Sequence, residues 1–382
     1  QGFPLAPPPA MVLTRGGLRL CKAPPAPRAG IAWESIGFGL RRDSQMARAT
    51  WADGRWGEVA VTPYGPLAME PGITALNYGQ SLFEGMKAMR TSRGRVVLFR
   101  PEKNAQRMHA GGRRFLMPAL PSSLFLDTVR QCVVANADLV PPHGMGSLYL
   151  RPLYFGSGSG IGVAPSTEYT FVTFGSPVGG YFSAGAGRGA RMKLELNHQR
   201  AAPKGVGYVK AAGNYAPCFE SQQKAKADGF NDVIYADVTG TYIEEVAAAN
   251  MFVVRGGTVY TPDLGQILPG VTRDSIIQIV GKLMPEVKLV VGQVPLEVLW
   301  EAEEAFCCGT AAVITGIEHI SDGVRHRDFT PMGPVTSRIY DILTGIQNET
   351  HPDEFGWLVD PFDAEALART AAGTGAGEGT AL

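Results

Sequence analysis

Apolar and polar positions alternate over short runs through the first half of the chain. "EVAVTPY" (58–64), "MKAMRT" (86–91), "RVVLFRP" (95–101), "SLYLRPLYF" (147–155) and "EYTFVTF" (168–174) each predict a strand. Two stretches with helical periodicity interrupt them, "PEKNAQRMHAGGRRFLMP" (101–118) and "SSLFLDTVRQCVVANADLV" (122–140). In the second, Leu124, Val129 and Val133 share a face. A glycine-rich break, "SPVGGYFSAGAGRGARM", separates this half from the next. Beyond it, "ARMKLEL", "DVIYAD" and "NMFVV" predict strands, and "APCFESQQKAKADG" and "VTRDSIIQIVGKLM" predict helices. "EAFCCGTAAVI" reads as a buried strand, turn and strand. The order is mixed and shows no repeating strand–helix unit, which predicts an α+β fold in two domains rather than a doubly wound sheet. The expected division is a tail at 1–30, a small α+β domain at 31–178, a loop at 179–189, a large domain at 190–360 and a flexible tail at 361–382.

Length agrees with two domains, since 382 residues exceed one ordinary core. Lys plus Arg and Asp plus Glu each number 35, so the balance gives no support for a nucleic-acid partner. No apolar run reaches the ~18 residues of a membrane span, so no membrane partner is expected. The five cysteines have no CxxC spacing, which predicts free thiols in a reducing compartment. Before Glu34 there is no acidic residue, while Arg15, Arg19, Lys22 and Arg28 are positive. That pattern reads as an organelle transit segment, with an untargeted tail as the alternative.

Several familiar motifs fail. "GSGSGIG" (156–162) lacks the third glycine of GxGxxG, and Gly281-Lys282 has neither the upstream glycine nor the hydroxyl residue of a P-loop. The histidines form no metal-ligand spacing, so no metal site is expected. The unusual residue is Lys210. It is the only charge in "GYVKAAGNYA", a run small and apolar enough to be packed. Either it sits at an exposed turn, or a bond to a carbonyl cofactor removes its free amine. Downstream, Glu244 and Glu245 enter an apolar strand, where alternation would send one of them to solvent and the other inward. Upstream, Arg100 and Arg107 flank a helix start, where an arginine fork can clamp a phosphate or form a surface salt bridge.

"YGQSLFEGMKAMR", "VLFRPEKNAQRM", "LYLRPL", "VKAAGNYAP", "EEVAAANMFVV", "ILPGVTRDSI" and "CCGTAAV" occur in the order and approximate spacing of the branched-chain amino-acid aminotransferases. The chain resembles that family, in its plant-type chloroplast branch, from about Trp33 to Trp357. The resemblance implies a two-domain fold type IV architecture, like that of D-amino-acid aminotransferase, and the cofactor pyridoxal 5'-phosphate. It also implies transamination of leucine, isoleucine and valine with 2-oxoglutarate, small molecules as the only substrates, and a homodimer. A plastid location follows from it, with the mitochondrion or cytoplasm as alternatives.

The same resemblance assigns residues. Lys210 matches the Schiff-base lysine. Arg107 and the helix start at Val271 and Thr272 match the phosphate site, while Arg100 has a structural reading. Glu245 matches the residue on the pyridine nitrogen, Tyr215 the phenol beside the ring oxygen, and Thr310 a further cofactor contact. Phe38, Tyr78, Phe83, Tyr149, Arg151 and Tyr181 match the substrate pocket. Ala248 and Ala311 match positions whose amides receive the substrate carboxylate. Ala247-Ala248 departs from the Gly-Thr of some relatives, and the CxxC of some animal members is absent.

Overall fold

Ser147–Gly156 and Tyr169–Val178 are the longest strands, and they pair antiparallel along their whole length, Ser147 opposite Val178 and Gly156 opposite Tyr169. The period of two sorts their side chains. Leu148, Leu150 and Tyr154 are fully buried in one face, while Tyr149, Arg151 and Leu153 look into a cleft on the other. A computed structural model describes residues 24–179 and 189–375. In it these strands lie near the middle of a nine-stranded antiparallel sheet. The helices Pro101–Arg114 and Ser122–Ala135 bury Met108, Phe125, Leu126 and Val129 against the inner face. Each fully buried side chain of this size contributes roughly 1.5–3 kcal/mol.

The second sheet has ten strands and mixed pairing. Ala190–Glu195 runs parallel to both Asp232–Ala236 and Val313–Ser321, whereas Ala249–Arg255 pairs antiparallel with Glu304–Gly309. Alternation along Ala249–Arg255 feeds two cores. Met251 joins Met192, Ile234 and Ile317, while Phe252 joins Ile276, Ile279, Ile339 and Leu343. The latter come from the helices Val271–Leu283 and Pro334–Gln347. Helices and strands thus build an α+β architecture around two sheets.

Some expectations need correction. The tail expected to be flexible from 361 carries the helix Ala364–Gly375, and Leu367 buries into the first core. Leu358–Val359 also pairs with Val96–Phe99, so the chain returns to the first sheet at its end. The interval 190–360 is therefore not confined to one body. Gln45–Ala52, a strand that pairs with Tyr169–Val178, escaped the sequence reading. Its core side chains include Ala47 and Ala49, too small to register as an apolar stripe.

Cys132, Cys218, Cys307 and Cys308 are buried free thiols. Among the described residues no helix is long and apolar enough to cross a membrane, and no cluster of three or more metal-ligating side chains occurs.

Candidate active site

Lys210 is held by its neighbours. Val209 and Ala211 are each 2% exposed and pack into the first core, and the Phe83 N–H donates to the Lys210 carbonyl at 3.1 Å. Gly111 packs closely there, since an added Cβ would lie 3.1 Å from a Val209 methyl and 3.3 Å from a Leu82 methyl. With its backbone pinned, the side chain is directed into the cleft between the sheets. Lys210 Nζ donates to Tyr215 Oη at 3.1 Å and stands 4.7 Å from the centre of the Phe83 ring. No carboxylate forms an ion pair with it among the described residues. The apolar run around Lys210 is therefore the packing of one strand-like segment, and its charge faces a cavity.

Glu245 approaches from the second sheet. Its Oε1 is 2.7 Å from Arg200 Nη1 and accepts from the Leu268 N–H at 3.0 Å, and Oε2 accepts from Asn250 Nδ2 at 3.1 Å. Burial pushes Glu245 up to about 7, against the pull of Arg200 and the Leu268 amide. Alternation predicts one of the two glutamates in solvent, yet Glu244 is only 7% and Glu245 2% exposed. Ile234 pairs with Val246 and Ala236 with Ile243, so Glu244 and Glu245 both stand opposite Tyr235, and this extra residue breaks the period of two. Burial, with repulsion from Glu245 and Asp237, lifts Glu244 to about 7.

Arg107 lies across the cavity on the helix Pro101–Arg114. Nε donates to Glu84 Oε1 at 2.7 Å and Nη2 to Oε2 at 2.6 Å, a two-point clamp on a carboxylate with no exposure. Nη1 donates to the Pro269 carbonyl at 2.8 Å, just before the helix Val271–Leu283. That helix start, with Gly270 as its cap, presents the Val271–Thr272 end to the same cavity. A helix N-terminus and an arginine together favour an anion. Arg100 sits apart from the cavity. Its Nη1 donates to Ser275 Oγ at 2.7 Å, and its guanidinium lies 4.8 Å from the Trp357 ring centre.

The cavity has a volume of about 610 Å³. Phe38, Phe83, Tyr149, Arg151 and Leu153 wall one side, and Ala248, Thr310 and Ala311 lie at another. The Arg151 guanidinium stacks 4.7 Å from the Phe83 ring centre and 5.5 Å from that of Tyr149. One expected pocket residue is absent from the lining among the described residues. Tyr78 is 42% exposed, lies outside the lining and hydrogen-bonds the Ile161 carbonyl. Tyr181 falls outside the described residues. The structure adds Glu84, Arg200 and Asn250, which sequence reasoning passed over. Glu84 had a signal, a lone acid inside the apolar run "SLFEGMKAM". Arg200, in the polar stretch "NHQRAAP", had none.

The family Amino-transferase class IV matches residues 81–320. The chain belongs to the class IV aminotransferases. It is 45% identical, over 87% of its own length and 86% of the relative's, to branched-chain-amino-acid aminotransferase 1, mitochondrial, of Arabidopsis thaliana. It is 40% identical to branched-chain-amino-acid aminotransferase 5, chloroplastic, of the same plant, over 87% of this chain and 80% of that one. Among solved structures, the branched-chain amino acid aminotransferase of Escherichia coli matches at TM-score 0.68 and 29% identity. That match covers 82% of this chain and 99% of the other. Transamination of branched-chain amino acids, with pyridoxal 5'-phosphate as cofactor, is accordingly the activity of this class IV member.

The cavity fits such a phosphorylated ring. Cavities of roughly 300–1,000 Å³ hold cofactor-sized ligands. Arg200 and Arg107 are each matched by a buried glutamate, so Lys210 and the helix start leave a surplus of positive potential. An anionic ligand bearing an aldehyde answers both.

Proposed function

We propose that this chain performs its transamination at Lys210, exchanging amino groups between leucine, isoleucine or valine and 2-oxoglutarate. The observation that carries the reading is Lys210 itself, a lysine without a carboxylate partner among the described residues, set in a cavity between a helix start and a buried glutamate. The products are the branched-chain 2-oxo acids and L-glutamate. Such a step closes the synthesis of these amino acids or opens their degradation.

Each residue then has a task. Arg107 and the amides at Val271 and Thr272 hold the phosphate, with Thr310 beside them. Glu245 holds the proton on the pyridine nitrogen, and Arg200, Asn250 and the Leu268 amide keep its carboxylate aimed. Tyr215 donates beside the ring oxygen. Once bound, the cofactor supplies an electron sink for the substrate carbanion. Lys210 Nζ removes the proton from the substrate Cα and returns a proton on the reverse path. Phe38, Phe83, Tyr149 and Leu153 exclude water from an aliphatic side chain. Arg151 at their rim receives the second carboxylate of glutamate or 2-oxoglutarate. The amides at Ala248 and Ala311 receive the α-carboxylate.

The same proposal includes a homodimer and an organelle address. Exposed Leu76, Tyr78, Ile161 and Val163 on the first domain provide apolar surface for a second copy. The acid-free basic segment before Glu34 supports an organelle address, the likeness to chloroplastic relatives favours a plastid over a mitochondrion, and a fluorescent fusion left in the cytosol would refute that address.

A panel of single amino acids tests the activity. Leucine, isoleucine and valine should each convert the bound cofactor and release the matching 2-oxo acid at rates within about 10–200-fold of one another, since one methylene is worth only ~1–3 kcal/mol in an apolar pocket. Aspartate should be slow. Rapid conversion of aspartate with none of the branched trio would refute the assignment.

A further inference from the structure

Lys87 takes no part in the chemistry above. It lies in the strand Met86–Arg90, on the parity that places Phe83 and Gly85 in the cleft while Leu82, Met86 and Ala88 fill the core. Its register partner is Tyr149 on the cavity wall. The side chain is mostly removed from water and has no acidic partner among the described residues, and burial pushes it down to about 8. Its hydrogen bond crosses to the other sheet. Nζ donates to the Ala311 carbonyl at 3.1 Å.

Ala311 belongs to the three-residue turn, Thr310 to Ala312, that joins Glu304–Gly309 to Val313–Ser321. Two features single this turn out. Val313 closes it at φ +58, a left-handed conformation that a β-branched residue resists. Glycine normally fills that position in such hairpins. In addition, the amides of Thr310, Ala311 and Ala312 have no backbone partner among the described residues, although the turn lines the cavity. A strained turn with free donors needs an external restraint.

We propose that Lys87 is a positioning residue for the substrate carboxylate, its ammonium locking the Thr310–Ala312 turn so that the free amides face the anion. The cation on the Ala311 carbonyl also polarises that peptide, which strengthens the Ala312 N–H as a donor. The inference rests on the reading of the cavity as an amino-acid site.

The test uses the holoenzyme and two ligands with the leucine skeleton. Isocaproate carries the carboxylate, and isocaproamide replaces it with a neutral amide. Lys87→Met should weaken isocaproate by ~10-fold and raise KM for leucine by a similar factor, as loss of one charge-assisted restraint allows. Isocaproamide affinity, cofactor retention and kcat should change by less than about 3-fold on the same scale. Lys87→Arg, which keeps a cation, should recover most of the isocaproate affinity. Unchanged isocaproate binding in Lys87→Met, or equal losses for both ligands, would overturn the proposal. Failure of Lys87→Arg to recover would overturn it as well, even if Lys87→Met proved too unstable to measure. A parent enzyme that binds neither cofactor nor isocaproate would instead refute the proposed function, before any variant is made.

Discussion

Two buried arginine–glutamate pairs face each other across the cavity, and they are built in opposite senses. In Arg107–Glu84 the guanidinium spans both carboxylate oxygens, and Asn104 Nδ2 adds a bond to Oε2 at 2.8 Å, so the glutamate fixes the arginine at two points. In Arg200–Glu245 one oxygen meets the arginine and the carboxylate is shared with Asn250 and the Leu268 amide, so the arginine serves the glutamate. The first pair presents an oriented cation beside a helix start. The second presents an oriented anion in an apolar sheet. A ligand with a phosphate at one end and a basic ring nitrogen at the other matches that polarity.

Neutralising the two glutamates separates the roles. Glu245→Gln should cut turnover by ~100-fold or more while the cofactor stays covalently attached, because the ring nitrogen loses its anionic partner. Glu84→Gln should act chiefly on cofactor retention, weakening it by ~10-fold with a smaller change in turnover, since it loosens Arg107 rather than the proton on the ring. Each variant leaves an arginine buried without its partner, so both should lower Tm. Equal effects of the two on retention and turnover would remove the distinction. Equilibrium dialysis and single-turnover rates give the two readings.

Glu244 is the milder probe. Its folded pKa is raised to about 7 from an ordinary value of 4.5, so ionisation costs stability that is absent below the ordinary value and grows as pH rises through 7. Glu244→Gln removes that cost. It should raise Tm by a few degrees at pH 8 relative to the parent and by less at pH 5, with turnover nearly unchanged. A Tm gain that is the same at both pH values would show that Glu244 is not the titrating group.

The chain carries these roles with uneven clarity. The strands around Tyr149 and Phe171 and the helix Ser122–Ala135 were legible, because large apolar residues fall at fixed periods. Lys210 was legible as a charge out of place in a packed run. Glu244 misled, since strict alternation assumes a regular ladder and its own strand carries an extra residue opposite Tyr235. Arg200 was hidden because its partner Glu245 lies far along the chain, in a strand it does not adjoin in sequence, and its polar neighbours look like any surface loop. The helix Ala364–Gly375 was hidden by composition. Its alanines and glycines resemble a flexible tail, and packing of Leu367 and Ala371 into the first core, against the helices Pro101–Arg114 and Ser122–Ala135, explains why it folds.

The central claim is that Lys210 is the lysine joined to the cofactor. Reduction of the holoenzyme with borohydride, followed by peptide mapping, tests it directly. One pyridoxyl label per chain is expected, on Lys210, and none there after Lys210→Ala. A label on Lys87 or any other lysine of the parent enzyme would contradict it.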